Sequence, residues 1–274
     1  MLDFLGEEIK NVISFDLLGL TELRLRQDKP LTACYVGGGE RSFDRMITRE
    51  DLETIMLRLT KHSVYLFAES MKNGYITADD GERVGICGRC VIENGSVKMI
   101  KDVSSLCVRI PKEVIGFSDS LLEKYKKEGL SSTLVISPPG FGKTTFLRDI
   151  ARNVSVSLKK NVLITDEKNE IWSPKFSFGT HCDAILSANK SFAFSEGVRN
   201  LRPEVIISDE LSSLSDASGA LNAVFCGVTV IASAHAPSVE YLEKKPDLKI
   251  LFDNKVFKTA VVIEKNYSLK IFDL

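Results

Sequence analysis

The chain has 274 residues, of which 44% are apolar and 27% are charged. This composition is typical of a globular protein and excludes a disordered, collagen-like or coiled-coil chain. At about 150 residues per domain, the length predicts two modest domains that each bury a core. The 36 basic and 37 acidic side chains leave a net charge of -1, so binding to nucleic acid or to an anionic membrane would need a local patch.

The hydropathy pattern and the cysteines predict a cytoplasmic protein with no direct membrane span. Residues 1–20 carry acids where a signal peptide has basic residues, and no apolar run approaches the ~20 residues of a membrane-spanning helix. The six cysteines are scattered through strand-like apolar segments, so we expect buried, reduced thiols rather than disulfides or a metal site. They are Cys34, Cys87, Cys90, Cys107, Cys182 and Cys226.

Residues 1–117 are predicted to form a smaller α+β domain. Strict alternation over Glu22–Arg26 predicts a strand with its charged side chains on one face. A T-x-x-D capping box at Thr48, followed by apolar residues at helical spacing, predicts a helix that continues to Leu59. A second helix is predicted over 63–74. The short strands predicted after it span 75–78, 83–91, 96–100 and 105–110.

The pattern changes at residue 118, which predicts a connector helix within 118–132 and a separate domain over 133–274. In the connector, Ser118 is the predicted N-cap and Gly129 the C-terminal stop. Beyond it, apolar β-branched runs alternate with helix-compatible segments, which predicts strands buried on both faces and a mostly parallel α/β sheet. The predicted strands span 133–136, 161–165, 205–208 and 228–232, with a hairpin over 256–263 and 267–272.

The segment Ser137–Thr145, S-P-P-G-F-G-K-T-T, directly follows the first of these strands and precedes a helix. This context is typical of a P-loop, in which backbone N–H groups surround a phosphate, the lysine reaches the β and γ oxygens and the hydroxyl binds Mg²⁺. Ser137 replaces the first glycine of the G-x-x-x-x-G-K-T pattern. We therefore expect ATP and Mg²⁺ as cofactors. The predicted nucleotide-binding residues are Pro139, Gly140, Phe141, Gly142, Lys143, Thr144 and Thr145.

Acidic residues and a histidine follow the other strands. Val205–Glu210 is an apolar strand that ends in Asp209 and Glu210, and in P-loop NTPases the first such acid holds Mg²⁺ while a nearby carboxylate polarises the attacking water. The carboxyl ends of parallel strands meet at one edge of a sheet, so Glu167 and His235 should lie at the same site. Spacing alone favours Glu210 as the general base. His235 could position water or sense the γ-phosphate.

The order of these motifs resembles that of the secretion ATPases of the type II and type IV pilus kind. More closely, the chain resembles the stage III sporulation protein AA family. The segments that carry the resemblance are Glu22–Arg26 with Lys29-Pro30, Ile47–Leu52, Gly81–Ile86, Ile136–Thr145, Asp166-Glu167 with Glu170-Ile171, and Pro203–Ile206.

The resemblance implies a RecA-like P-loop NTPase with a mostly parallel sheet, preceded by a smaller α+β N-terminal domain. It also implies a homo-hexameric ring that powers the membrane-bound sporulation channel complex between mother cell and forespore. The protein would then be cytoplasmic and peripheral to the membrane through this partner, on the mother-cell side. Lys168-Asn169 and His181–Asp183 depart from the family pattern.

The resemblance also assigns roles to the acids. It implies that Glu167 is the general base and that Glu210 supports Mg²⁺ or water, so we favour Glu167 and leave the pair open. A ring ATPase needs a positive group to neutralise the charge of the transition state, commonly an arginine from the neighbouring subunit. The candidates are Arg83, Arg89, Arg109, Arg199 and Arg202.

Two other function classes remain open. A nucleic-acid-stimulated RecA-like ATPase predicts a basic groove, but the clusters 124–127 and 159–160 are short and interspersed with other residues, so no nucleic-acid partner is expected. A scaffold that binds nucleotide without turnover would not need acids and a histidine at these strand ends.

Overall fold

The computed structural model describes residues 2–13, 19–63, 67, 71–72, 74–93 and 95–274. These residues form two compact units, 1–112 and 113–274. The helix predicted over 63–74 lies largely outside the described residues. No helix in the described ranges is both long and apolar enough to cross a membrane.

The first unit contains an antiparallel sheet that has, within the described residues, six strands in the order β3-β2-β1-β6-β5-β4. The strands predicted over 96–100 and 105–110 are a single strand, because the break in their pattern is a bulge that does not end the pairing: Cys87 pairs with Ser105 and Arg89 with Lys101. The strands are β1 (Leu20–Arg26), β2 (Pro30–Tyr35), β3 (Glu40–Met46), β4 (Tyr75–Thr77), β5 (Arg83–Glu93) and β6 (Ser96–Arg109).

Two described helices, α1 (Glu7–Ile13) and α2 (Arg49–Leu59), pack in this unit. The predicted capping box begins α2, since the Thr48 hydroxyl accepts the Asp51 N–H and the Asp51 carboxylate accepts the Thr48 N–H. Leu52, Ile55 and Leu59 are buried in the same core as Leu23 and Leu25 of β1. The apolar residues identified by the helical spacing and by the strand alternation therefore pack in one cluster.

The prediction of buried thiols is wrong for Cys87, Cys90 and Cys226, which are exposed, although all six cysteines are free. The outer half of β5 is exposed on both faces, so its apolar residues do not enter the core. The other three cysteines are partly buried.

The second unit contains a mostly parallel sheet with the strand order β13-β12-β7-β11-β10-β8-β9. Only β13 is antiparallel to its neighbour, and it forms the predicted edge hairpin with β12. The edge strand β9 was not predicted. The strands are β7 (Thr133–Ser137), β8 (Val162–Asp166), β9 (Cys182–Leu186), β10 (Val205–Glu210), β11 (Thr229–His235), β12 (Thr259–Ile263) and β13 (Leu269–Asp273).

Helices cover both faces of this sheet. Leu134 and Ile136 of β7 belong to one apolar cluster and Val135 to the other, which is the two-sided burial that the apolar runs predict. The described helices are α3 (Asp119–Glu128), α4 (Lys143–Arg152), α5 (Lys190–Leu201), α6 (Leu214–Phe225), α7 (Val239–Glu243) and α8 (Lys249–Asp253).

The helix predicted in the connector, α3, is part of the second unit. Ser118 occupies the N-cap position, but its hydroxyl and its N–H both donate to Oδ2 of Asp149 at 2.7 Å rather than capping the helix. Asn153 donates to the Ser118 hydroxyl at 2.9 Å, and the hydroxyls of Tyr125 and Thr133 are 2.6 Å apart. Buried hydrogen bonds thus join α3 to α4 and β7.

We predict that Asp149→Ala lowers the free energy of unfolding by about 2–4 kcal/mol, because it leaves the buried Ser118 N–H and hydroxyl without their acceptor. The Asp149 side chain is only 1% exposed. Urea unfolding followed by circular dichroism measures the change. Glu123→Ala is the control, because Glu123 makes only an exposed ion pair with Lys126 on α3. Equal unfolding midpoints for the two variants would contradict the assignment.

Candidate active site

The loop between β7 and α4 has the geometry of a phosphate-binding loop. Gly140 and Gly142 have φ values of +83° and +86°, in the left-handed region that favours glycine. Gly142 is the N-cap of α4, and no side chain caps this helix. The N–H groups of its first turn, from Lys143 to Thr145, therefore have no intrahelical partner and carry the positive end of the helix dipole. This arrangement binds anions such as phosphate.

The contacts around the loop explain why Gly142 must be glycine and why Ser137 need not be. A Cβ on Gly142 would lie 3.4 Å from the ring of Phe117 and 3.6 Å from that of Tyr267, in addition to its positive φ. Ser137, by contrast, remains in the ladder of β7 opposite His235, and its hydroxyl donates to the Pro138 carbonyl at 2.9 Å. Its φ is not positive. The first glycine of the usual pattern is therefore not needed here.

Lys143 extends from the start of α4 to the end of β11. Its ammonium donates to the Ser137 and Pro138 carbonyls at 2.8 and 3.1 Å and lies 2.6 Å from Nδ1 of His235. Burial lowers the pKa of Lys143 to about 8, against the opposing charge of Glu210. Burial and the Lys143 charge also lower the pKa of His235. A neutral His235 accepts from Lys143 through Nδ1 and directs its Nε2–H toward Glu210, 3.3 Å away.

A second lysine, which the sequence analysis missed, joins two of the predicted acids. The Lys190 ammonium lies 2.8 Å from Oε2 of Glu167 and 2.9 Å from Oδ1 of Asp209, and its side chain is only 4% exposed. Burial opposes its charge, but the attraction of Asp209 and the hydrogen bond to Glu167 outweigh it and raise the pKa of Lys190. Lys190 is the first residue of α5, where the helix dipole disfavours a cation. A lysine at the start of a helix is therefore the sequence feature that could have indicated a role for Lys190.

Asp209 has the environment expected of a cation ligand. Its side chain is 12% exposed, and burial raises its pKa to about 6, against the charge of Lys190. Neither carboxylate oxygen accepts a hydrogen bond, since Lys190 makes an ion pair without hydrogen-bond alignment. Such buried oxygens require compensation. Asp209 and the Thr144 hydroxyl offer the hard oxygen ligands that Mg²⁺ prefers.

The protein alone does not supply a complete metal site. Within the described residues, no group of three or more His, Cys, Asp or Glu side chains could hold a metal ion. Mg²⁺ is commonly held by one or two protein oxygens together with substrate phosphates. The residues present therefore fit Mg²⁺ bound with a nucleotide.

Asp166, next to Glu167, organises the loop that presents it. Its carboxylate accepts the backbone N–H groups of three successive residues, Glu170, Ile171 and Trp172, at 2.8–2.9 Å. Arg148 of α4 donates to the Ile171 carbonyl at 3.0 Å and to that of Glu170. The acidic loop is thus tied to the helix that begins at the phosphate-binding loop.

The structure gathers Lys143, Glu167, Asp209, Glu210 and His235 at the carboxyl ends of β7, β8, β10 and β11, as the sequence predicts. Glu167 pairs with Lys190, whereas Glu210 lies 3.3 Å from His235 and 3.8 Å from Lys168. The strand ends therefore carry two groups of contacting side chains, Lys143 with His235 and Glu210, and Glu167 with Lys190 and Asp209.

Two of the five candidate arginines belong to the second unit, and neither is part of this cluster. Arg199 and Arg202 lie at the far end of α5, and Arg199 is about 14 Å along the helix from Lys190 at 1.5 Å per residue. The other three belong to the first unit. There, Arg83 stacks on the Tyr75 ring at 3.7 Å, and Arg89 and Arg109 are largely exposed.

Comparison with known proteins identifies the family. The family model described as "Sporulation stage III, protein AA" matches residues 3–269. The chain belongs to the stage III sporulation protein AA family. It is 36% identical over 270 residues to Stage III sporulation protein AA of Bacillus subtilis (strain 168), an alignment that covers 93% of this chain and 87% of that protein.

Solved structures share the fold. The pilus retraction motor PilT with bound ADP superposes with a TM-score of 0.64 at 17% identity, over 97% of this chain and 81% of PilT. The ATPase DotB of Legionella pneumophila superposes with a TM-score of 0.62 at 15% identity, over 96% of this chain and 77% of DotB. The predicted RecA-like fold of the secretion ATPases, with a mostly parallel sheet and an additional antiparallel sheet, is confirmed.

We predict that Asp209→Asn stabilises the nucleotide-free protein above neutral pH. The folded pKa of about 6 exceeds the usual 3.8, so wild-type stability falls as pH rises from about 4 through 6, whereas the asparagine variant has no such loss. The variant should unfold with a free energy about 1–3 kcal/mol higher at pH 7.5, and the difference should vanish near pH 4.

Urea unfolding at several pH values measures this difference. The exposed Asp253→Asn at the end of α8 is the control. A difference that is independent of pH would show that burial does not disfavour the charge of Asp209.

Proposed function

We propose that this protein hydrolyses ATP in a Mg²⁺-dependent reaction, as a ring-forming ATPase of the secretion type. The observation that supports this most is that the P-loop geometry and two side-chain groups occur at the strand ends of one sheet. Lys143 contacts His235, which contacts Glu210, and Lys190 joins Glu167 to Asp209. A nucleotide-binding scaffold needs the loop but has no use for buried acids around it. Membership of the sporulation family and the secretion-ATPase fold support the same reading.

The phosphates would bind at the start of α4. The unpartnered N–H groups of its first turn face the loop, and Lys143 would exchange the Ser137 and Pro138 carbonyls for phosphate oxygens. Thr144 and Asp209 would hold Mg²⁺, which neutralises charge on the β- and γ-phosphates when bound. The remaining loop residues, Pro139, Gly140, Phe141, Gly142 and Thr145, would shape the cradle.

Glu167 is our proposed general base. Its side chain is 43% exposed and accepts a single hydrogen bond from Lys190, so one oxygen remains for a water molecule. Glu210 instead has cationic or imidazole neighbours on two sides, Lys168 and His235. Since His235 also contacts Lys143, movement of Lys143 onto a phosphate would release Nδ1 and change the contact with Glu210. We assign His235 the role of phosphate sensor and Glu210 that of its partner.

The proposal extends to an assembly and a partner. We propose a homo-hexamer in which one of the five candidate arginines reaches the site of the neighbouring subunit, since the described contacts of Glu167, Asp209 and Glu210 are with lysines and a histidine. The sporulation family supports a membrane-bound channel protein as the partner that receives the work of ATP hydrolysis. The protein would then be cytoplasmic and peripheral to the membrane, on the mother-cell side.

Two variants test the chemistry. We expect Lys143→Ala to abolish ATP binding and turnover, because it removes the phosphate-binding ammonium. Glu167→Gln should still bind ATP but should lose about 10²-fold or more in kcat, because an amide cannot accept the proton. Phosphate release and equilibrium nucleotide binding measure the two effects separately.

Lys249→Ala is the control and should keep the wild-type rate, since Lys249 is an exposed lysine of α8. Wild-type rates in Lys143→Ala and Glu167→Gln would exclude this mechanism. A larger loss in Glu210→Gln than in Glu167→Gln would exchange the roles of the two acids.

Mixed assemblies test the arginine. Native mass should show a hexamer with nucleotide, and the relevant arginine-to-alanine variant should be inactive by itself. Mixing it with Lys143→Ala should restore part of the activity, because each inactive subunit supplies what its neighbour lacks. Full activity in all five arginine variants would remove the proposed contribution from a neighbour.

A further inference from the structure

Lys190 is a buried cation that the mechanism above leaves without a role. It lies at the N-terminus of α5, where Asn189 caps the helix by accepting the Phe192 N–H at 2.9 Å. The helix therefore needs no cation there, and its dipole opposes one. The ammonium is instead directed at Glu167 and Asp209, at 2.8 and 2.9 Å.

We infer that Lys190 is a positioning residue whose ammonium fixes Glu167 beside Asp209. The inference deepens the proposed function and rests on it for the role of Glu167. The geometry carries it: Glu167 follows the end of β8, Asp209 lies at the end of β10, and these two strands are paired neighbours in the sheet.

Electrostatics explains why a cation stands there. Two carboxylates at adjacent strand ends repel each other, and Asp209 has no hydrogen bond to compensate its burial. A single ammonium donates a hydrogen bond to Glu167 and forms an ion pair with Asp209. It thereby restricts Glu167, which is otherwise free to extend into solvent because its side chain is 43% exposed. A neutral side chain of equal length would fill the space but hold neither acid.

Kinetics distinguish positioning from mere support of the fold. Lys190→Met should lower kcat by about 10- to 100-fold while the KM for ATP changes little, because a misplaced base impairs the chemical step and not phosphate binding. The double variant Lys190→Met/Glu167→Gln should be no slower than Glu167→Gln alone, since Lys190 acts through Glu167. Lys190→Arg should recover part of the rate.

The control is Lys249→Met, which removes an exposed lysine of α8 that pairs with neither acid; its kcat should stay within about twofold of wild type. Multiplicative losses in the double variant, together with no recovery in Lys190→Arg, would overturn the positioning role.

Binding of Mn²⁺ to the nucleotide-free protein tests the contact between the Lys190 ammonium and the proposed metal ligand Asp209 without relying on catalysis. Lys190→Met should bind Mn²⁺ at least about tenfold more tightly than wild type, because a competing positive charge has been removed. Adding Asp209→Asn should abolish the gain. Equal Mn²⁺ affinity in wild type and Lys190→Met would overturn the inference.

This measurement also separates the two proposals. If wild-type protein is inactive but Lys190→Met binds Mn²⁺ more tightly, the ATPase proposal is contradicted. The contact between Lys190 and its two acids is then still supported. Active wild-type protein without that gain contradicts only the inference. Should Lys190→Met fail to fold, Lys190→Gln removes the charge while keeping a hydrogen-bond donor, and the same Mn²⁺ outcomes apply.

Discussion

The second unit depends on one constraint: charges at the ends of buried strands must be compensated where they stand. The interiors of β7, β8, β10 and β11 are apolar on both faces, so the polar groups of the site lie at their carboxyl ends and at the first residues of α4 and α5. Two lysines provide the compensation. Lys143 is held by carbonyls and His235, and Lys190 by Glu167 and Asp209.

This balance makes ligand binding an exchange of partners. Each lysine already has polar partners in the nucleotide-free protein. A phosphate or a metal ion would have to replace some of these contacts in order to bind. The raised pKa of Asp209 shows that the compensation is incomplete. A site that tolerates such a charge sacrifices stability for function, which is common where chemistry is concentrated.

The sequence predicted the features that are encoded in short stretches of chain. The capping box at Thr48, the apolar strands and the loop Ser137–Thr145 are local patterns, and the convergence of strand ends follows from parallel topology. The edge strand β9 was missed because it is half-exposed and lacks an apolar run. Lys190 was missed because its partner Glu167 is 23 residues away, and only the sheet order that places β8 beside β10 brings them together. The prediction that Cys87 and Cys90 are buried was wrong for a related reason. The outer part of β5 has the composition of a strand, but within the described residues no other element packs over it.

Arg148 connects the helix that begins at the phosphate-binding loop to the loop that presents Glu167. The helix α4 starts at the phosphate-binding loop, and five residues later, about 7.5 Å along its axis, the Arg148 guanidinium holds the carbonyls of the loop that presents Glu167. A displacement at the first turn would therefore reach the acidic loop through α4 and the Arg148 hydrogen bonds. Through this connection, phosphate binding at the loop would also align Glu167. Binding of the nucleotide and placement of the general base would then occur in one step.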